Sequence, residues 1–350
     1  MPYGRATSRR DFFRTCVAGA VTLAAGESAL DAAESLHPQL RARVSIARDP
    51  QLRIAPLQPV HAARPAPLEG TVDPARLRRL LDQAMMGLFP QEEPARAWSK
   101  VVRPGQTVGI KVNTLGGRGL STNVELAEAI CERLLEAGVR PADIVIWDRD
   151  STELERAGFR IRTGGSQAQC FGTDRVGFED ELKSWGSVGS LISKILTRRC
   201  DVLINVPVLK DHDGAGVSIA LKSMYGAINN PNKYHPNGCD PFVADVNMLP
   251  QIRGKLRLAI CDATTACYEG GPSFKPEFTW RHNALIVSQD PVALDTIGWQ
   301  IIERKRREKG LKTLEEDNRA PRYIATAADA EHRLGINDPR HITVVESQVS

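Results

Sequence analysis

Apolar residues fall along this chain in two patterns that take turns. From residue 73 onward, short runs in which nearly every position is apolar alternate with longer stretches in which apolar residues recur every three or four positions. "TVGIKV" (107–112), "DIVIW" (143–147), "DVLINVPV" (201–208), "LRLAIC" (256–261) and "ALIVS" (284–288) are five runs of the first kind. Strands that are apolar on both faces need both faces covered, as in a parallel sheet between layers of helices. Among the longer stretches, "ARLRRLLDQAMMGLF" follows Asp73 and Pro74, an N-cap and a first-turn proline. "STNVELAEAICERLLEAG" carries Thr122 and Glu125 at capping-box spacing and Gly138 as its stop. The expected fold is α/β, a mostly parallel sheet with helices on both faces and a site at the C-terminal strand edge.

Each strand run ends abruptly in polar residues. The five ends are Asn113, Asp148, the group Lys210 to Asp213, Asp262 and Asp290. In a parallel sheet these ends lie along one edge, where ligands bind. Asp290 precedes Pro291 and reads as a helix cap, and Asp295 one turn later as an acid favouring the helix dipole. Asp262 leads into "ATTACYEGGPSFKP", a loop suited to covering a ligand. Asp148, followed by Arg149 and Asp150, is either a site residue or part of a surface ion network. Lys111, inside a strand otherwise fit for burial, must reach water, an anion or a carboxylate. The loop "NTLGGRGLSTN", with Gly116 and Gly117, can bring backbone N–H groups to an anion or can be a plain tight turn. It lacks the Gly-Lys-Ser/Thr ending of a P-loop, so nucleotide hydrolysis has no support.

The densest chemistry lies in "INVPVLKDHDGAGVSIALKSMYGAINN" (204–230). His212 sits between carboxylates, an environment expected to raise its pKa, and Lys222 follows ten residues later. His235 and Cys239 come next in a loop rich in Pro, Asn and Gly, and two such residues do not by themselves define a zinc site.

Residues before 73 have a different character. Six prolines between residues 34 and 72, with no sustained period, read as a mostly extended linker or wrapping arm. Ahead of it, "SRRDFF" (8–13) and the short apolar "CVAGAVTLAAG" have the layout of a twin-arginine export signal. That apolar run is too short for a bilayer, which takes about 20 residues. The expected organisation is a signal peptide over 1–33, the arm over 34–72 and an α/β domain over 73–350. The expected location is periplasmic or extracellular, with the twin-arginine translocase as a partner and no membrane span after cleavage.

Composition narrows the classes further. With 46 basic and 42 acidic residues the net charge is +4, and no basic stripe suggests nucleic acid. Seven cysteines include no C-x-x-C pair, which gives no ferredoxin-type iron–sulfur motif. Cys261 and Cys267 are the nearest couple that an oxidising compartment could pair.

The segments "VGIKVN", "INVPVLKDH", "ALKSMYGAI", "AICDAT", "EGGP" and "SQDPVALD", spread over 107–297, resemble the domain of unknown function (DUF) 362 family. Many relatives carry ferredoxin-type cysteine clusters, which this chain lacks. A more distant likeness is to the nickel-pincer lactate racemases, in which a histidine is followed ten residues later by a cofactor-bearing lysine and then by a nickel-binding histidine. His212, Lys222 and His235 fit that spacing. Where those racemases have a Gly-Thr-His-Arg element with a catalytic histidine, this chain has Trp147, Asp148, Arg149 and Asp150.

These readings combine into a crevice. Lys111, Asn113, Gly116, Gly117 and Lys222 are candidates for holding a cofactor or anion, with His212, Asp148 and Lys210 as catalytic candidates. His235 and Asp262 are candidates for a metal, nickel or another transition metal. The leading expectation is a cofactor- or metal-dependent enzyme of redox or proton-transfer type acting on a small anionic substrate. The competing one is a non-catalytic periplasmic protein that holds an anion or assists assembly.

Overall fold

A computed structural model of the chain describes residues 41–52 and 72–349. The twin-arginine segment and its cleavage region lie outside the described residues.

Twelve strands are present among these residues: β1 (Ala42–Arg48), β2 (Val108–Val112), β3 (Ile144–Trp147), β4 (Gln169–Cys170), β5 (Lys183–Trp185), β6 (Val188–Ser190), β7 (Val202–Val206), β8 (Val208–His212), β9 (Gly216–Val217), β10 (Leu256–Cys267), β11 (Thr279–Ser288) and β12 (Ile342–Gln348). β5 and β6 form a separate hairpin. The main sheet has the order β12-β1-β11-β10-β7-β2-β3-β4, with β8 continuing alongside β10 and β9 folding back onto β8. Pairing is parallel from β10 through β7, β2 and β3 to β4, and again between β1 and β12. β11 is antiparallel to both of its neighbours.

That reversal changes one expectation. Because β11 runs against β10, Asp290 leaves the sheet at the opposite edge from Asn113 and Asp148. It caps helix Pro291–Glu308, accepting from the Val292 and Ala293 N–H groups. The arm expected over 34–72 also contains a strand: β1 lies between β11 and β12, with Val44 and Ile46 buried. Its alternation was obscured by arginines at both ends, Arg41, Arg43 and Arg48; Arg43 reaches Gly87 O and Arg48 the His282 ring, while the residues between them enter the core.

Alternation through the strands sorts the core into two layers. Ile110, Ile144, Ile146, Val202 and Ile204 pack with helix α1 (Pro74–Leu88) and helix α2 (Val124–Glu136). Val145, Trp147, Leu203, Leu209 and Cys261 belong to the layer that includes helix α3 (Ala220–Ser223) and helix α4 (Pro291–Glu308). As expected, Asp73 caps α1 through the Ala75 and Arg76 N–H groups. The expected Thr122 capping box does not form. Thr122 Oγ1 instead donates to Val206 O at 2.7 Å and accepts from Asn113 N at 2.9 Å, a tie between strand ends that outcompetes the local cap.

From β2 the chain moves through α2 to β3 and β4 on one side, then returns to β7 on the other side of β2. Helices leaving to opposite sides open a crevice at the C-terminal ends of β2 and β7, the place where open α/β sheets take ligands.

Candidate functional site

A cavity of about 200 Å³ occupies that crevice, lined by Lys111, Asn113, Asp148, Lys210, His212, Lys222 and His235. Seven of the ten residues expected to form the site therefore share one cavity. Gly116, Gly117 and Asp262 do not line it.

The cavity floor is an ion pair. Lys111 Nζ lies 2.8 Å from Asp148 Oδ1 and also donates to Val112 O at 2.8 Å. Both side chains are buried. Burial alone would raise the Asp148 carboxyl, but the Lys111 ammonium, with the N–H of Arg149 and the hydroxyl of Thr114, more than reverses this and holds it below the usual range. Asp148 is thus a buried partner for Lys111 at the cavity, and the alternative of a surface ion network falls away; Arg149 turns to Glu153, and Asp150 caps the next helix. The pair also needs Gly226: a Cβ there would sit 2.9 Å from Asp148 Oδ1 and 2.9 Å from Lys111 Nζ.

Two further lysines have no carboxylate in direct contact among the described residues, although Asp148 acts on Lys210 from farther off. Lys210 Nζ donates to Asn113 Oδ1 at 2.7 Å. Lys222 Nζ lies 3.2 Å from His235 Nε2 and 4.5 Å over the Tyr225 ring. Among the described residues neither lysine forms a salt bridge, and burial pushes each down to about 8. Tyr225 is a lining residue that sequence reasoning missed; the signal was its place in "KSMY", three residues after Lys222 in the same helical turn.

The two histidines are held in opposite tautomers. Gly214 N donates to His212 Nδ1 at 3.1 Å, so the ring proton of neutral His212 sits on Nε2. His235 Nδ1 lies 3.1 Å from Pro231 O, a carbonyl that can only accept, so its proton is on Nδ1 and the Nε2 lone pair faces Lys222. Their rings stack at 5.7 Å with 28° between planes. The expectation of a raised His212 pKa fails. Burial, then the cations of Lys222 and Lys210 and the neighbouring His235, push it down to about 2. The carboxylates flanking it in sequence face elsewhere: Asp211 Oδ2 accepts from Arg319 at 2.6 Å and Oδ1 from Gly271 N at 2.7 Å.

The segment that carries His212 and Lys222 is locked at several points. Gly216 adopts φ +77°, and a side chain there would meet Arg319 O at 2.2 Å, which is why the strand-end turn needs glycine. Asp295, expected only to favour its own helix dipole, instead accepts from the Ala220 and Leu221 N–H groups at the start of α3. Complete burial pushes its carboxyl up to about 8 despite those bonds.

Asp262 has a structural task here. β10 continues through it to Cys267, and its Oδ2 accepts from Asn123 N at 2.9 Å and Nδ2 at 2.8 Å while Oδ1 takes the Thr264 hydroxyl at 2.6 Å. It pins the start of α2 rather than joining His235. The Gly116 and Gly117 loop closes on itself: Gly117 N donates to Thr114 O, and Thr114 gives both its N–H and its hydroxyl to Asp148.

Asp211, Asp213 and Glu269 can bring ligand oxygens within 4.8 Å of one another, a spacing that could coordinate a metal ion. The Arg319 guanidinium contacts all three, which gives the cluster a cation of its own. The six cysteines among the described residues are free. Cys261 and Cys267 lie on the same strand, about 20 Å apart at normal rise, beyond the reach of a disulfide. No helix among the described residues is long and apolar enough to cross a membrane.

No curated protein matches the chain. The family model described as "Domain of unknown function (DUF362)" matches residues 108–300, from the cavity's first strand to the helix that Asp290 caps. That span covers more than half of the sequence and every lining residue named above, and the chain belongs to the DUF362 family.

Proposed function

We propose that this protein is exported and binds a small anionic substrate in the cavity at the ends of β2 and β7, where it catalyses a proton transfer. The observation that carries this reading is the pair of buried lysines, Lys210 and Lys222, neither with a carboxylate partner. A buried ammonium without a counter-ion is costly, and an incoming anion offsets that cost for both at once. Lys111 does not contribute to this excess charge, since Asp148 neutralises it.

The histidines favour an enzyme over a protein that only holds an anion. Anion retention needs donors alone, yet His235 presents an acceptor to Lys222 while His212 keeps a donor on Nε2. A neutral imidazole with a strongly lowered pKa polarises a substrate oxygen by hydrogen bonding and keeps its own proton. His212 is assigned that task, and the proton-accepting role falls to His235, whose Nε2 lone pair faces Lys222.

The proposed metal fits poorly. His235 has the tautomer of a ligand, with Nδ1–H on a carbonyl. However, Asp262 is engaged elsewhere, and among the described residues no group of three His, Cys, Asp or Glu ligand atoms includes His235. The likeness to the pincer racemases is supported by Lys222 and His235 standing side by side, and is weakened by Asp148 serving Lys111 where those enzymes have a catalytic histidine. No step is assigned to a metal.

Calorimetry with oxalate tests the reading. The full chain should bind it, and Lys210→Met should weaken binding at least tenfold. Failure of the wild-type protein to bind oxalate or any other small carboxylate would refute it.

A further inference from the structure

The contact between Lys222 and His235 is more than anion binding requires. An ammonium that only holds an anion gains nothing from an imidazole lone pair 3.2 Å away, which competes with the anion for its N–H groups. That arrangement is useful when the ammonium must lose a proton. His235 is fixed for the task by Pro231 O behind it. Tyr225, whose hydroxyl is tied to Tyr234 O at 2.7 Å, forms a fixed platform under Nζ. The second cation, Lys210, is held on Asn113 and is free to seat a carboxylate while Lys222 acts on a neighbouring atom. His212 Nε2–H remains as a donor for an oxygen that gains charge.

We propose that Lys222 is a nucleophile, whose Nζ condenses with the carbonyl carbon of a small 2-oxo carboxylate seated on Lys210 to form a Schiff base, with His235 accepting the ammonium proton. This deepens the anion-pocket reading and rests on it. The Lys222 ammonium gives one proton to His235 Nε2, and the freed lone pair forms the C–N bond as the carbonyl π pair moves to oxygen. His212 stabilises that oxygen, which takes one of the two protons still on Nζ to give the neutral carbinolamine. Loss of water, with departure of the remaining N–H proton, forms C=N. The balance is amine plus carbonyl to imine plus water, and no oxidant or reductant is consumed. Burial supports the step, since a lysine brought down to about 8 is neutral about a quarter of the time at pH 7.5, roughly 200-fold more than an ordinary lysine.

The experiment uses the full chain, with Lys222 first shown by mass to be unmodified. Glyoxylate, pyruvate and 2-oxoglutarate are each supplied with sodium cyanoborohydride, which reduces an imine to a stable secondary amine. Peptide mass spectrometry should find one adduct on Lys222, formed at least tenfold faster than on the exposed Lys233 nearby. Lys222→Arg should abolish it, and His235→Ala should slow it at least tenfold. The rate at Lys222 should peak near pH 8 and fall above it as Lys210 loses the charge that seats the carboxylate, while that at Lys233 keeps rising. If oxalate binds but none of the three oxo acids marks Lys222 faster than Lys233, the nucleophile is overturned and the anion pocket stands. If neither oxalate binding nor an adduct is seen, both readings fall.

Discussion

Affinity for an unreactive anion should fall steeply between pH 7 and pH 9. Lys210 and Lys222 are each brought down to about 8 by burial, so each is about nine-tenths protonated at pH 7 and about one-tenth at pH 9. The sign follows directly, because deprotonation removes the positive charge that attracts the anion. If one ammonium must be charged, affinity drops about tenfold over that interval, and if both must be, about a hundredfold, or roughly 2.7 kcal/mol. The other groups facing the cavity do not produce this slope. His212 and His235 are pushed down and are already neutral, Asp148 is held ionised with Lys111 paired to it, and Arg149 is paired with Glu153. Oxalate binding by calorimetry at half-unit intervals, in buffers of different ionisation enthalpy, measures both the affinity and the proton uptake. Lys210→Arg keeps a permanent cation at that position and should remove about one tenfold factor from the slope. Affinity that stays level to pH 9 would refute the argument, because it would mean that the lysines are not desolvated or do not meet the anion.

Three further outcomes are expected. Asp148→Asn leaves the Lys111 ammonium buried without its partner and should cost about 3–5 kcal/mol in urea denaturation, with Lys111→Met recovering most of it; a loss below about 1 kcal/mol would show the pair to be well solvated. Since the folded carboxyl is held below its unfolded value near 3.9, that stability is present at neutral pH and is lost as pH falls below about 4. Gly226→Ala places a methyl 2.9 Å from both members of that pair and should lower the melting temperature by several degrees while weakening oxalate binding; an unchanged variant would mean that the floor yields freely. Replacing Arg9 and Arg10 by lysine should leave the precursor in the cytoplasm on fractionation, and undiminished periplasmic delivery would remove the export assignment.

Much of the sheet was legible because burial on both faces writes itself into the strands: β2, β3 and β7 appear as runs that are apolar at nearly every position, within a residue or two of their true limits. The direction of β11 was not legible. An apolar run gives no arrow, and here the preceding link is a loop (268–278) that turns the chain straight back against β10, where a crossover helix would have kept it parallel. β1 was hidden for a related reason. A seven-residue strand whose partners lie more than two hundred positions away has no local signal beyond its own alternation, and the surrounding prolines and arginines masked that.

At the site, position along the chain foretold which side chains would meet but not how they would pair. Lys111 had to reach water, an anion or a carboxylate, and the register that sets it opposite Trp147 brings Asp148 within reach as its neighbour. His212 shows the converse. Its sequence neighbour Asp211 belongs to the other pleat of the strand and points away from it toward Arg319, a residue more than a hundred positions later, and Asp213 lies past the strand end in an exposed turn. Acidic neighbours in a strand are thus poor predictors of a histidine's field, whereas residues on the helix that follows, such as Lys222, can turn back over the strand end and set it. The same geometry explains why a cationic cavity arises from a segment of mixed charge. The strand directs Asp211 to Arg319 and presents Lys210 and His212 at the cavity, and α3 adds Lys222, so the cationic lining comes from separating the charges of one short polar run onto two faces.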